Sequence, residues 1–280
     1  MKRFAFYLNY LWLAGSTLLV CLFLGIILYS IFSKGFSTLS WNFISSFPKN
    51  GMTAGGILPA IMGTLLLTVI TTLFGVPFGI CCAIYLNEYA PTSLLTNIIR
   101  ASIRNLAGIP SIIYGLFGLA LFVQSLRLGT SILSAGLTLG LLSLPYIITT
   151  TEEALKRVPN TMREAALALG ATQFESIKDI VLPKALPGIL TGVILSLSRA
   201  AGETAPILFT GVAFYINAPA TSINQEFMAL PYHLYMLSTQ HQSIEQVKPL
   251  AYGTAVVLIM LVFGLNLFAF IIRFKNRIRD

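Results

Sequence analysis

The sequence predicts an all-α polytopic membrane protein, six transmembrane helices with a long cytoplasmic elbow before the fifth. Three observations predict it. Of 280 residues, 56% are hydrophobic and 10% are charged, whereas a soluble domain carries about 25% charged residues. Several apolar runs reach the roughly 20 residues that cross a bilayer as a helix. Lysines and arginines gather in alternate loops, as they do in multi-pass proteins. Alternating ten-residue strands, the mark of an outer-membrane barrel, are absent from the sequence.

The first span is about Leu11 to Phe32. It follows Met-Lys-Arg and mimics a secretory leader. Its apolar core is longer than a leader's and no A-x-A-like site follows, so it reads as an uncleaved anchor. With the loop behind it, it makes an N-terminal region 1–57; residues 58–280 form the core. The second span is about Leu58 to Leu86, with Pro77 inside it, and the third is about Ala107 to Leu126. The fourth is about Ile132 to Thr150, the fifth about Gly188 to Phe214 and the sixth about Tyr252 to Ile272.

Orientation follows from the basic residues. Lys2, Arg3, Arg100, Arg104, five in the loop 151–187 and Arg273, Lys275, Arg277 and Arg279 fall on one side. The other side has Lys34, Lys49, Arg127 and Lys248. The richer side is cytoplasmic, so both termini lie inside. The net charge of +8 is then a topology signal, with contact to anionic lipid heads. No basic-aromatic platform accompanies it, so nucleic acid is not expected as a partner. Cys21, Cys81 and Cys82 all lie in apolar runs and read as small packing residues. No metal-ligand spacing appears; His233 and His241 read as surface or packing residues of an external segment 215–250.

The loop 151–187 is the longest on the cytoplasmic side. Pro159 separates an entry helix from "TMREAALALG", where Thr161 and Glu164 have capping-box spacing. Gly170 permits a sharp turn out of that helix. A second short helix, about Thr172 to Ile180, is expected to stop at Leu182-Pro183, with Pro187-Gly188 opening the fifth span. The local physics is a helix–turn–helix elbow between two membrane helices.

The fifth span carries the charges Arg199 and Glu203 in "SLSRAAGETAP". At about 3.6 residues per turn, Gly192, Ser196, Arg199, Gly202, Glu203 and Pro206 share one stripe. Counted from Gly188, Arg199 falls roughly 16 Å along a helix rising about 1.5 Å per residue, near the middle of a hydrocarbon core about 30 Å thick. Two readings stay open. The pair could neutralise itself and pin two helices. It could also line a substrate path, the usual meaning of charge within a span; Arg before Glu is the weaker order for a purely helical pair. For an anionic substrate, Arg supplies a planar, always-charged fork, and Glu203 would hold that fork while the anion is absent.

Spacing then points to a family. Glu164, Ala165, Ala166, Gly170, Ile180, Leu182 and Pro183 form E-A-A-x3-G-x9-I-x-L-P. This resembles the EAA signature of permease subunits of bacterial ATP-binding-cassette importers. The segments "AGIPSIIYGLFGL" (107–119), "RVPNTMREAALALGAT" (157–172) and "LPGILTGVILSLSRAAGETAPILFTGVA" (186–213) resemble phosphate-specific permeases of the PstA type. "GGILPAIMGTLLLT" (55–68) and "MALPYHLYMLST" (228–239) extend that resemblance from about Gly55 to the C-terminus.

The resemblance implies a type I importer permease fold in a bacterial inner membrane. Residues 172–180, with Thr172 and Phe174, would be the coupling helix that docks on an ATPase. Arg199 would contact phosphate, with Glu203 and Ser196 beside it. The implied partners are a sister permease in a heterodimer, two copies of an ATP-binding subunit and an extracytoplasmic phosphate-binding protein. None of the eight lysines follows a glycine, so the chain has no phosphate cradle of the P-loop kind. ATP and Mg would be bound by the partner, the chain needs no cofactor of its own, and it is expected not to be an enzyme. Alternatives are a permease for phosphonate, sulfate or molybdate, or a scaffold for phosphate-starvation signalling with a signalling regulator as partner.

Overall fold

A computed structural model describes residues 2–216 and 222–277. Arg279, counted in the basic tail, lies outside them. The first helix, α1 (Lys2–Gly35), is longer than its apolar core because no proline interrupts it. Its apolar side chains from Leu11 to Ile27 are largely exposed, and its end packs on the last helix. The short α2 (Trp41–Ser45) is capped by Ser40, whose hydroxyl accepts the Phe43 N–H at 3.1 Å. A hairpin pairs β1 (Pro48–Lys49) antiparallel to β2 (Ala54–Gly55). Its tip holds Asn50, Gly51 and Met52 in succession at positive φ. Met52 is fully buried with Phe43 and Ile57, so side-chain burial offsets local backbone strain.

Helix α3 (Leu58–Ile84) runs on through a π-turn, Tyr85–Tyr89. The predicted third span, about Ala107 to Leu126, opens on a bend. Helix α4 (Leu94–Leu106) meets α5 (Ser111–Gly118, continued by a π-turn to Ser125) at 102°. The break is Gly108-Ile109-Pro110, where proline excludes its predecessor from helix. Two carbonyls freed there are satisfied by tyrosines: Tyr114 Oη donates to Leu106 O at 3.0 Å and Tyr146 Oη to Ala107 O at 2.9 Å. Arg100 and Arg104, expected in a loop, lie on α4.

Helix α6 (Ile132–Lys156), capped by Ser131, is the hub. Leu67, Ile132, Leu139 and Phe227 fill its seam with α3, and Ile147, Leu155, Val181 and Ile189 fill its seam with the elbow and next helix. Cys82 packs near Ala83, Leu86 and Ile148, whereas Cys21 and Cys81 lie on open faces instead of packing.

The elbow is α7 (Asn160–Ala168) and α8 (Gln173–Ser176). Thr161 is already helical, so no capping box forms there; the box belongs to Thr172 and Glu175. Leu182-Pro183 does not stop the chain either. A π-turn (Ile177–Val181) leads into α9 (Leu182–Gly202), and helix is continuous from Gln173 to Gly202. The wider turn shifts Leu182 N–H onto Ile177 O, absorbing the bond that Pro183 cannot make. Pro187-Gly188 therefore lies inside the helix.

The predicted fifth span 188–214 breaks after Gly202. Glu203 is extended, and α10 (Ala205–Leu208) follows as a separate turn packed on α5. After α11 (Leu230–Thr239), α12 (Ile244–Arg277) begins before the expected Tyr252. Among the described residues five helices are long and apolar enough to cross a membrane, and the bent α4–α5 pair, taken as one span, makes six.

Candidate functional site

Arg199 occupies the last turn of α9, where a cation meets the negative end of the helix dipole. Its Nε lies 3.3 Å from Glu203 Oε1, just past the helix end. Nη1 donates to Tyr146 Oη, and the guanidinium carbon lies 4.5 Å from the Tyr146 ring centroid, a cation–π distance. Tyr146 in turn holds Ala107 O at the α4–α5 break. One arginine thus links the end of one broken span to the break in another. Its side chain is 47% exposed against 17% for Glu203. Nη2 makes no hydrogen bond among the described residues.

The expected stripe splits. Gly192 faces α6 so closely that a Cβ there would sit 2.1 Å from Thr150 Oγ1. Ser196 is buried on the same side and donates to Ser143 O at 3.4 Å. Arg199 and Gly202 are open, and Glu203 and Pro206 lie beyond the helix. The structure therefore brings Arg199 and Glu203 together and places Ser196 against α6. Arg199 sits at a helix end, not partway along a continuous span.

The elbow residues divide by exposure. Ala166 is buried, while Glu164, Ala165, Thr172 and Pro183 are exposed, and Ile180 and Leu182 are half-buried. Gly170 has φ +89°, with Gly170 N–H on Leu167 O (3.0 Å) and Ala171 N–H on Ala166 O (3.1 Å), a Schellman turn. Leu169 beside it is 90% exposed and Phe174 is 65% exposed. Two large apolar side chains at the tip of a polar elbow suit a protein contact. Thr172 Oγ1 accepts the Glu175 N–H at 3.3 Å while Glu175 Oε2 accepts the Thr172 N–H at 2.7 Å.

Sequence reasoning missed Tyr146, because its contact with Arg199 joins two helices 53 residues apart. It also missed two ion pairs at the elbow end: Glu88 with Arg163, and Glu152 with Arg100, each at 2.8 Å. The spacing of charges along one helix carries no trace of partners on another. Among the described residues, no cluster of His, Cys, Asp and Glu could hold a metal ion.

The family described as "binding-protein-dependent transport system inner membrane component" matches residues 75–280. The chain belongs to that family. This permease is 36% identical to the phosphate transport system permease protein PstA of Pasteurella multocida, over 87% of this chain and 85% of that one. It is 31% identical to the probable ABC transporter permease protein YqgI of Bacillus subtilis, over 91% and 90%. The probable phosphate transport system permease protein PstA of Methanocaldococcus jannaschii is 34% identical, over 91% and 89%. Solved structures share the fold. A chain of the MetNI methionine ABC transporter in an inward-facing conformation has TM-score 0.63 at 20% identity, covering 79% of this chain and 95% of its own. A chain of a bacterial alginate ABC importer has TM-score 0.68 at 15% identity, covering 96% of each. The permease is of the PstA type and has the architecture of an ABC importer permease.

Proposed function

We propose that this permease forms half of the translocation pathway of an ATP-driven phosphate importer. One observation supports it most: a guanidinium with donors unused among the described residues, held by Glu203 and Tyr146 where a membrane helix ends early. Irregular backbone at membrane depth persists where protein buries it or where it lines a cavity. A planar fork suits a tetrahedral oxyanion bidentately. Glu203 occupies one donor until the anion arrives and weakens its hold enough for release. The names of the PstA relatives supply the choice of phosphate.

The elbow docks on a separate ATPase subunit through Phe174 and its neighbours, and ATP and Mg bind there. The remaining partners are a sister permease, a second ATPase copy and an extracytoplasmic phosphate-binding protein. Both termini face the cytoplasm with the elbow, a placement that the excess of basic residues on that side supports. The reconstituted complex should take up labelled phosphate with ATP, and excess sulfate, molybdate or phosphonate should leave uptake unchanged. Displacement of phosphate by one of these would reassign the substrate.

A further inference from the structure

The end of α3 that meets the elbow is clamped from three helices. Arg163 stands on α7 directly before the E-A-A stretch. Its Nε and Nη2 grip Glu88 Oε2 and Oε1 at 3.0 and 2.8 Å. The same guanidinium donates to Val158 O at 2.7 Å and Leu155 O at 3.0 Å, at the end of α6. Gln173 on α8 donates to the Glu88 carbonyl at 2.6 Å. From α4, Arg100 donates to Leu86 O at 2.5 Å and to Glu152 Oε1 at 2.8 Å. Side-chain exposure is 6% for Glu88 and 17% for Arg163.

Buried, bidentate pairs hold one geometry, because parting them strands a charge out of water. That makes a joint with discrete arrangements instead of a soft hinge. The helix it seizes is continuous to the opposite end. There Thr64 Oγ1 accepts the Leu230 N–H of α11 at 2.9 Å, 24 residues from Glu88 or about 36 Å along the helix.

We infer that the Glu88–Arg163 pair is the positioning joint that makes α3 move with the elbow, so that the elbow and the far α11 segment are mechanically linked. The inference rests on the coupling role proposed above for the elbow. Neither residue touches the substrate or ATP in this account.

The test uses the whole complex in proteoliposomes, with the binding protein as purified from cells. The readout is ATPase activity with and without that binding protein. Glu88→Gln keeps the shape and removes the charge. Assembly and basal ATPase activity should stay within about twofold, while stimulation by the binding protein falls to near onefold. Arg163→Lys should lose most of it too, and the double variant should be no worse than either single, as for partners in one interaction. Stimulation at the wild-type level in Glu88→Gln overturns the inference. So does a loss matched by equal losses of assembly and basal activity, since that marks mere structural support. Phosphate uptake in the same vesicles keeps the two readings apart. A wild-type complex that is stimulated but moves no phosphate refutes the substrate, and the stimulation ratio still decides the joint.

Discussion

Replacing Gly170 should weaken the elbow through the backbone and not through a clash. Gly170 lies at φ +89°, and a Cβ built there meets nothing within 4 Å. The cost is that of an L-residue in left-handed conformation, roughly 1–2 kcal/mol, a factor of about 5–30 in the population of the turn. Asparagine tolerates this region far better than alanine, and valine worst. The elbow's competence should therefore rank Gly, then Asn, then Ala, then Val. The assay is phosphate taken up per ATP hydrolysed in the reconstituted complex, with protease sensitivity of the elbow in parallel. If space against a docked partner were limiting, rank would follow size and Ala would outperform Asn. That order would refute the backbone argument.

Tyr146→Phe keeps the ring over Arg199 but removes the hydroxyl that joins it to Ala107 O. A hydrogen bond to a charged group contributes about 1.5–3 kcal/mol, so KM for transport should rise at least roughly tenfold with assembly intact; an unchanged KM would remove Tyr146 from the site. His233 is buried on α11, outside the long apolar helices, and among the described residues its Nδ1 has no partner. Burial lowers its pKa from the ordinary 6.5 to about 4. As pH falls, the unfolded chain binds the proton first, so this stability is present above pH 6.5 and is lost toward pH 4. The loss should reach about 2 kcal/mol at pH 5, seen as a lower melting temperature in detergent. In His233→Gln that pH slope should flatten, and an unchanged slope would place its origin elsewhere.

The sequence was legible where a signal is local. Apolar length placed six spans, and the E-A-A spacing with Gly170 located the Schellman turn. Pro110 marks a 102° break at the start of the third span, and the charged helix before it, Leu94–Leu106, read as loop because it carries Arg100 and Arg104. Pro183 looked like a stop, yet a π-turn carried the helix through it. Gly202 and Pro206, four apart, were read as part of a stripe although together they end a helix. Tyr146 and Glu88 were invisible because their partners lie on other helices, 53 and 75 residues away. Ser196 was placed by angle alone, and packing against Ser143 decided its side.

Arg199 is proposed to meet the transported oxyanion. Labelled-phosphate uptake by the assembled complex carrying Arg199→Gln tests it most directly. Losing a charged partner of a desolvated anion costs about 2–5 kcal/mol, so uptake should be nearly abolished while the complex assembles and hydrolyses ATP. Arg199→Lys, which keeps charge but not the fork, should fall between. Normal uptake by Arg199→Gln would contradict the account and leave the pair with Glu203 as a helix-pinning contact.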